Sequence, residues 1–213
     1  MMLLEDRIEA GQKLAQKLLK YRESSDIVVI GLPRGGVVVA AKVAAVLDAP
    51  LDIVVPRKIG YPGNPELAIG AISEEGEGVF SLSLLNLVSE EYLRAEMEKE
   101  KIEAARRLRV YRGDRPPLFL KNKVALLVDD GVATGATMRA AILSARKKGA
   151  AQVVVAAPVI APDTLEQLRQ EAEEVVYLAA PESFGAVGAF YRSFEQTSDE
   201  EVIRLLQQSP AQS

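Results

Sequence analysis

The chain has 213 residues, of which 48% are hydrophobic and 26% charged, and these values are typical of one soluble globular domain with a full core. It contains neither Cys nor His, so disulfides, thiolate nucleophiles, zinc–thiolate sites and His-based catalytic triads are excluded. The net charge of −4 weighs against nucleic acid as a partner, and no apolar run is long enough to make a membrane-spanning segment.

The first predicted element is an amphipathic helix over residues 4–19, whose apolar positions recur at spacings of three and four. We expect this helix to cover the core without contributing chemistry. The N-terminal stretch is charged and helical, which is not typical of a signal peptide, and we therefore expect a cytoplasmic protein.

The next predicted unit is a buried strand at residues 27–31, a short turn, and a helix over residues 37–47. The turn contains Arg34, Gly35 and Gly36. Glycines allow a ligand to approach the backbone closely, and the arginine is able to neutralise an anion. The alternative is an ordinary glycine turn with a surface arginine.

A short β-branched strand at residues 51–55 leads into residues 57–65, which hold too many Gly and Pro for regular structure. We expect a mobile loop that closes over a site, with Arg57 and Lys58 as cations at the mouth of a strand. A solvated basic pair is the alternative. Residues 66–72 and 79–82 are predicted to form a hairpin with a solvated acidic turn.

A long charged helix over about residues 90–110 is predicted to be capped by Ser89. A solvated surface helix is the simplest interpretation, and packing on a partner subunit or closing as a lid are the alternatives. Arg112 and Arg115, in the loop that follows, are candidate phosphate ligands.

Residues 124–137, VALLVDDGVATGAT, carry the most informative pattern in the chain. Five apolar residues predict a strand covered on both faces, and a helix is predicted at residues 138–148. Between them lie Asp129, Asp130 and a small-residue loop, whose backbone N–H groups can converge on an anion at the helix N-terminus. The carboxylates would repel a phosphate, but they suit ribose hydroxyls or Mg²⁺. This order of groups indicates a ribose 5-phosphate site; an acid pair and helix cap without a ligand is the alternative.

This stretch resembles the 5-phosphoribosyl-1-pyrophosphate (PRPP) signature of the type I phosphoribosyltransferases: apolar residues, two acids and a TG-containing loop. The resemblance implies transfer of a phosphoribosyl group from PRPP to a nitrogenous acceptor such as a nucleobase, with Mg²⁺ bound together with PRPP. It implies that Asp129 and Asp130 hold the ribose and contact the metal mainly through PRPP. The residues implied to wrap the 5-phosphate are Ala133, Thr134, Gly135, Ala136 and Thr137.

By the same resemblance, Arg34, Gly35 and Gly36 form the pyrophosphate loop, and we expect a non-proline cis peptide near Arg34 and Gly35. Catalysis is assigned to Arg34, Arg57 and Lys58, which would stabilise the charge of the departing pyrophosphate. Family members acting on 6-oxopurines usually carry an acid immediately before the Thr-Gly, where this chain has Ala, which weighs against hypoxanthine and guanine. A regulator that binds PRPP or a nucleotide without turnover is the alternative function.

A strand at residues 152–157, a helix from Pro162 and a strand at residues 175–178 complete an alternation of strands and helices. This alternation predicts an α/β fold with a doubly wound, mainly parallel sheet and a ligand at the carboxyl ends of the strands. We expect one domain over residues 1–213, with its core at about 26–180 and an insertion at about 57–120.

The C-terminal tail, unlike the core, gathers aromatic residues among small ones. Phe184, Phe190 and Tyr191 lie in a hood candidate at about residues 181–197, where the planar ring of an acceptor base could stack. A satellite hydrophobic cluster that fixes the tail is the alternative. Ser198 and Glu201 predict a capping box for a final helix.

The family resemblance also implies a homodimer.

Overall fold

The computed structural model describes residues 3–211, and its centre is a five-stranded parallel sheet. The strands are β1 (Ile27–Gly31), β2 (Leu51–Ile53), β6 (Val124–Val128), β7 (Gln152–Val159) and β8 (Glu174–Ala179). Their order across the sheet is β2-β1-β6-β7-β8. Because β1 is buried along its whole length, its sequence is continuously apolar rather than alternating.

Helices cover both faces of this sheet. One face is covered by α1 (Arg7–Lys17), α2 (Gly35–Leu47) and α7 (Asp199–Gln208), and the other by α5 (Ala136–Lys147) and α6 (Pro162–Glu171). Successive strand residues contribute to opposite cores, as Val28 and Val29 do in β1. The predicted α/β fold with a doubly wound, mainly parallel sheet is therefore confirmed.

A smaller antiparallel sheet follows β2 in the chain. It consists of β3 (Arg57–Tyr61), β4 (Asn64–Ile72) and β5 (Gly78–Phe80), and it is followed by α3 (Leu82–Leu85) and α4 (Glu90–Arg112). The prediction of an irregular loop at residues 57–65 was wrong, because β3 and β4 form a hairpin there. Gly63 has a φ of +76° between the strands, so the Gly and Pro residues serve a tight turn.

The hairpin of β4 and β5 is confirmed, but its acidic turn is not solvated as predicted. The side chain of Glu74 is only 6% exposed and lies 3.0 Å from Nζ of Lys148, near the end of α5. Glu77 forms an ion pair with Lys147 in the same helix. Lysines at the C-terminal end of α5, where the helix dipole favours cations, thus hold the turn against this helix, which covers the larger sheet.

Helix α4 begins as predicted, because Oγ of Ser89 accepts a hydrogen bond from the N–H of Tyr92 at 3.2 Å. The helix is not simply a solvated surface element, since Ala104 and Tyr111 are buried in the main core. The hydroxyl of Tyr92 also donates to the carbonyl of Gly60 at 2.9 Å, which ties α4 to β3.

Arg112 and Arg115 are not phosphate ligands, which corrects the prediction. Nη2 of Arg112 lies 3.0 Å from Oδ2 of Asp52, and both side chains are almost fully buried. Nη2 of Arg115 donates to the carbonyls of Leu51 and Pro210 at 3.0 Å each. Both arginines therefore connect β2 to neighbouring segments.

The final helix is capped as predicted, with Oγ of Ser198 accepting from the N–H of Glu201 at 3.2 Å. Within residues 3–211, every helix is too short or too polar to traverse a lipid bilayer.

Candidate active site

The two strand-to-helix turns singled out in the sequence lie side by side at the carboxyl edge of the parallel sheet. Strands β1 and β6 pair in parallel register over all five of their residues, so the chain leaves both at the same level. We call the first turn the Arg34 turn (residues 32–36) and the second the Thr134 loop (residues 131–137). Asp129 and Asp130, the acid pair, begin the second turn.

The Arg34 turn packs directly against the acid pair. A β-carbon on Gly35 would lie 2.0 Å from Oδ2 of Asp130, and one on Gly36 would lie 2.7 Å from Oδ1 of Asp129. Neither glycine has a positive φ, so each is required for close approach rather than for an unusual backbone conformation. The two turns and the acids thus form one continuous surface.

The two carboxyl groups of the acid pair have different surroundings. Oδ1 of Asp129 accepts a hydrogen bond from the N–H of Asp130 at 2.8 Å. Burial, and then the negative charge of Asp130, raise the pKa of Asp129 well above its ordinary value. Oδ2 of Asp130 lies 2.7 Å from Nε of Arg7 in α1, so its charge has a partner. The site therefore presents a partly buried carboxyl with a raised pKa beside an ion-paired one.

The Thr134 loop turns at Gly135, whose φ of +75° lies in the left-handed region that favours glycine. Gly135 is the N-cap of α5, and the preceding Ala133 carbonyl accepts a hydrogen bond from Oγ1 of Thr164 in α6 at 2.5 Å. Among the hydrogen bonds of the described chain, none uses the N–H groups of residues 134–137. These groups lie at the positive end of the α5 dipole, where an anion is favoured.

Arg34 is the N-cap residue of α2, and a non-proline cis peptide bond joins it to Pro33. The prediction of such a bond near Arg34 and Gly35 is confirmed. Nη1 of Arg34 is 3.6 Å from Oδ1 of Asp199, the first residue of α7, and 32% of the arginine side chain is exposed. Long, partly exposed ion pairs are weak, so Arg34 can rotate toward an anion at its own turn.

The structure separates the two cations that begin β3. Nε of Arg57 is 2.6 Å from Oε2 of Glu100 in α4, whose side chain is mostly buried. Lys58 is exposed and lines a cavity with Tyr92 and Glu96 of α4. Lys58 also lines a cavity of about 400 Å³ together with Thr134 and Ala136. Of this pair, Lys58 is therefore the cation that faces the Thr134 loop, and Arg57 anchors the small sheet.

The aromatic residues of the tail are packed rather than open. Phe190 and Tyr191 are only 2% and 6% exposed, and they belong to a satellite cluster with Leu4 and Val159. Phe184 is half-buried on the same cluster, with its ring centroid 5.2 Å from that of Phe190. A base needs an exposed ring face to stack, so the predicted acceptor role is corrected for Phe190 and Tyr191. The satellite cluster, named above as the alternative, describes them.

Two contacts of the acid pair were not predicted from the sequence: Arg7 was not a candidate residue, and Tyr191 was a candidate only for the acceptor hood. Arg7 pairs with Asp130, and the hydroxyl of Tyr191 donates to the carbonyl of Asp130 at 2.5 Å. Burial, and then the charge of Asp130, raise the pKa of Tyr191, so the phenol remains a donor. Arg7 is the first residue of α1, where the helix dipole disfavours a cation. This unfavourable position was the one weak signal in the sequence that Arg7 has a role outside its own helix.

The acid pair is the feature of the site that suits a metal ion. Within residues 3–211, no group of three or more Asp, Glu, His or Cys residues is arranged to hold an ion on its own. Two adjacent carboxyl groups nevertheless fit Mg²⁺, which keeps several waters and takes other ligands from substrate phosphates.

Comparison with known proteins gives three results. Residues 3–191 match the family model described as a phosphoribosyl transferase domain. Two strains of Mycobacterium tuberculosis each have a protein, provisionally named a phosphoribosyl transferase, that is 45% identical over 208 residues or 97% of this chain. The chain spans about half the length of these curated relatives, namely 47%.

Two solved structures are also similar. The crystal structure of TT1426 from Thermus thermophilus is 44% identical, with a TM-score of 0.81 over 96% of this chain and 98% of that one. The AQ2163 protein from Aquifex aeolicus is 13% identical, with a TM-score of 0.50 over 85% of this chain and 78% of that one. The second similarity concerns the fold alone.

Proposed function

The chain belongs to the phosphoribosyl transferase domain family, and we propose that it transfers a 5-phosphoribosyl group from PRPP to a nitrogenous acceptor, with release of pyrophosphate. The observation that carries this proposal is the position of the acid pair between the Arg34 turn and the Thr134 loop. PRPP carries a diol between a 5-phosphate and a pyrophosphate, and that order matches the three parts of the site.

The Thr134 loop is the proposed 5-phosphate site. The N–H groups of residues 134–137 and the α5 dipole favour an anion there, and Lys58 and Arg139 line the cavity beside Thr134 and Ala136. Gly135 keeps the loop turned tightly enough for these groups to converge. Thr164 fixes the loop from behind through the carbonyl of Ala133.

The acid pair is the proposed ribose site. Carboxyl oxygens accept hydrogen bonds from the two ribose hydroxyls, so the sugar would be fixed with its reactive carbon toward the Arg34 turn. Oδ2 of Asp130 is occupied by Arg7, which leaves its other oxygen for a hydroxyl. The raised pKa of Asp129 reflects a carboxyl poorly solvated by water, and a ribose hydroxyl would supply the missing hydrogen bond.

The Arg34 turn is the proposed pyrophosphate site, with Arg34 as the cation that stabilises the leaving group, while Lys58 lies on the Thr134 side of the site. As the bond between the sugar carbon and the pyrophosphate oxygen breaks, negative charge grows on that oxygen and positive charge on the sugar. Cations that bind this charge lower the barrier when they bind the transition state more tightly than PRPP. The acceptor nitrogen then forms the new bond to the same carbon.

We propose that Mg²⁺ binds together with PRPP rather than at a site built by the protein alone. Asp129 and Asp130 are the residues that would contact it, directly or through water. Bound Mg²⁺ would supply additional positive charge for the pyrophosphate oxygens.

The acceptor is proposed to be a nucleobase, and Ala133 weighs against hypoxanthine and guanine. Of Phe184, Phe190 and Tyr191, only Phe184 keeps enough exposure to contact a planar ring. We retain residues 181–197 as the hood candidate on that basis, with residues 26–180 as the core and residues 57–120 as the insertion.

The test is incubation of the purified protein with Mg²⁺, PRPP and a panel of nucleobases, with pyrophosphate release as the readout. We expect release with at least one base, and none when both acids are replaced by Asn. Binding of PRPP without release in any mixture would favour a PRPP-binding regulator instead. Failure to bind PRPP would contradict both functions.

Arg34→Ala separates the proposed subsites. We expect this variant to weaken binding of pyrophosphate more than binding of ribose 5-phosphate, because the guanidinium belongs to the Arg34 turn. Equal losses for both ligands, measured by titration calorimetry, would assign Arg34 a structural role through Asp199.

We also propose a cytoplasmic protein that acts on small molecules and forms a homodimer. The net charge of −4 supports the absence of a nucleic-acid partner. Light scattering on the purified chain would test the dimer, and a monomeric mass at micromolar concentration would contradict it.

A further inference from the structure

Arg7, in α1, contacts three other parts of the molecule: the acid pair, the C-terminal segment at residues 194–195 and the Arg34 turn. Its Nε donates to Oδ2 of Asp130 and its Nη1 donates to the carbonyl of Glu195, each at 2.7 Å. Its guanidinium carbon lies 3.8 Å from the ring centroid of Phe194, which itself packs against Tyr191 with centroids 4.9 Å apart. A residue of the first helix is therefore held by the C-terminal segment directly beside the proposed ribose site.

The third nitrogen of this guanidinium is directed at the Arg34 turn. A β-carbon on Gly35 would lie 2.6 Å from Nε and 2.9 Å from Nη2 of Arg7, so the guanidinium plane rests against the glycine. Among the hydrogen bonds of residues 3–211, none uses Nη2. The arginine side chain is only 12% exposed, but Nη2 is not one of the fully buried atoms that lack a partner, so it stays accessible to a ligand.

A donor in that position has a chemical use. A guanidinium N–H without a protein acceptor is available to a ligand, and a phosphate oxygen accepts from guanidinium with unusual strength and a matching geometry. Gly35 is a residue of the proposed pyrophosphate site, and the groups nearest to a β-carbon on it are Oδ2 of Asp130 and then Nε and Nη2 of Arg7.

We propose that Arg7 is a PRPP-binding residue, which uses Nε to hold Asp130 for the ribose and Nη2 to bind a pyrophosphate oxygen beside Gly35. This inference rests on the proposed function. The stacking of Phe194 and the bond to Glu195 hold the guanidinium in place, so the C-terminal segment becomes part of the substrate site. Arg7 thus connects ribose binding to pyrophosphate binding through one rigid planar group.

The test is titration calorimetry of magnesium pyrophosphate and, separately, of ribose 5-phosphate, with the wild type, Arg7→Ala and Arg7→Lys. We expect Arg7→Ala to weaken pyrophosphate binding by about ten- to a hundredfold, the loss typical of a charge-assisted hydrogen bond. Arg7→Lys should lose nearly as much, because one ammonium cannot replace both Nε and Nη2. Arg192→Ala is the matched control, since Arg192 lies nearby in an exposed ion pair with Glu5.

Unchanged pyrophosphate affinity in Arg7→Lys would overturn the proposal, and this variant decides the question if Arg7→Ala does not fold. An equal loss in Arg192→Ala would also overturn it, because the effect would then be one of net charge. Asp130→Asn should weaken ribose 5-phosphate and leave pyrophosphate binding within about threefold, which separates the two contacts of Arg7. If the wild type binds neither ligand, the proposed function itself fails, and that result is distinct from a failure of Arg7 alone.

Discussion

Gly135 allows the geometry of the Thr134 loop to be tested quantitatively. Its φ is +75°, and a β-carbon there would lie 2.6 Å from Cγ2 of Thr164. Gly135→Ala therefore adds two separate penalties, one from the backbone and one from the threonine methyl group. Thr164→Ser removes that methyl group and keeps the hydroxyl that donates to Ala133.

The two penalties have different expected sizes. A non-glycine residue in the left-handed region costs about 1–2 kcal/mol. Overpacking against the methyl group adds about 1–3 kcal/mol. Thr164→Ser alone loses one buried methyl group, worth about 0.8 kcal/mol. In the Thr164→Ser background, Gly135→Ala should cost only its backbone part, so the double variant is more stable than the sum of the single changes by about 1–3 kcal/mol.

Denaturant unfolding of the wild type, both single variants and the double variant gives this coupling energy. Titration of ribose 5-phosphate with the same four proteins reports whether the N–H groups still converge. We expect Gly135→Ala to weaken the sugar phosphate and the double variant to recover part of that loss. Additivity within about 0.5 kcal/mol would refute the packing of Gly135 on Thr164.

Three further predictions concern the neighbouring groups. Asp130→Asn should weaken PRPP binding by about tenfold or more without unfolding the protein, and unchanged PRPP affinity in a titration would contradict the ribose assignment. Arg57→Ala should lower the free energy of unfolding by about 1–3 kcal/mol, measured with denaturant, because it leaves the mostly buried carboxylate of Glu100 unpaired. Lys58→Ala should leave the free energy of unfolding unchanged and slow pyrophosphate release. The opposite pattern would reverse the two roles. Burial, and then a hydrogen bond to Asp199, raise the pKa of Tyr111 from 10 to about 12. Because the pKa is higher in the folded state, the protonated Tyr111 hydroxyl stabilises the fold fully below pH 10, and this contribution is lost as the pH rises to about 12. In Tyr111→Phe, the free energy of unfolding should therefore depend less on pH across that range than in the wild type. A pH profile parallel to that of the wild type would exclude this role of Tyr111.

The main sheet could be predicted because its strands are covered on both faces and are therefore continuously apolar. The hairpin at residues 57–65 could not, since Gly and Pro are equally typical of irregular loops and of tight turns. The acidic turn at Glu74 was assigned to solvent because its partner, Lys148, is distant in sequence. Local patterns thus predicted the elements, and long-range ion pairs determined how the small sheet packs.

The candidate site divides in the same way. The acid pair and the Thr134 loop lie within one stretch, residues 124–137, so their chemistry was visible in the sequence. Arg7 is 123 positions from Asp130, and no periodicity or spacing brings them together before the fold is known. Tyr191 was noticed as an aromatic residue, but its burial and its bond to Asp130 follow from the tail packing on α1.

The most direct test of the account is a crystal structure of the protein with ribose 5-phosphate bound. The account predicts the phosphate on the N–H groups of residues 134–137 and the two hydroxyls on Asp129 and Asp130. A sugar phosphate bound elsewhere, or bound with its hydroxyls away from both carboxyl groups, would contradict it.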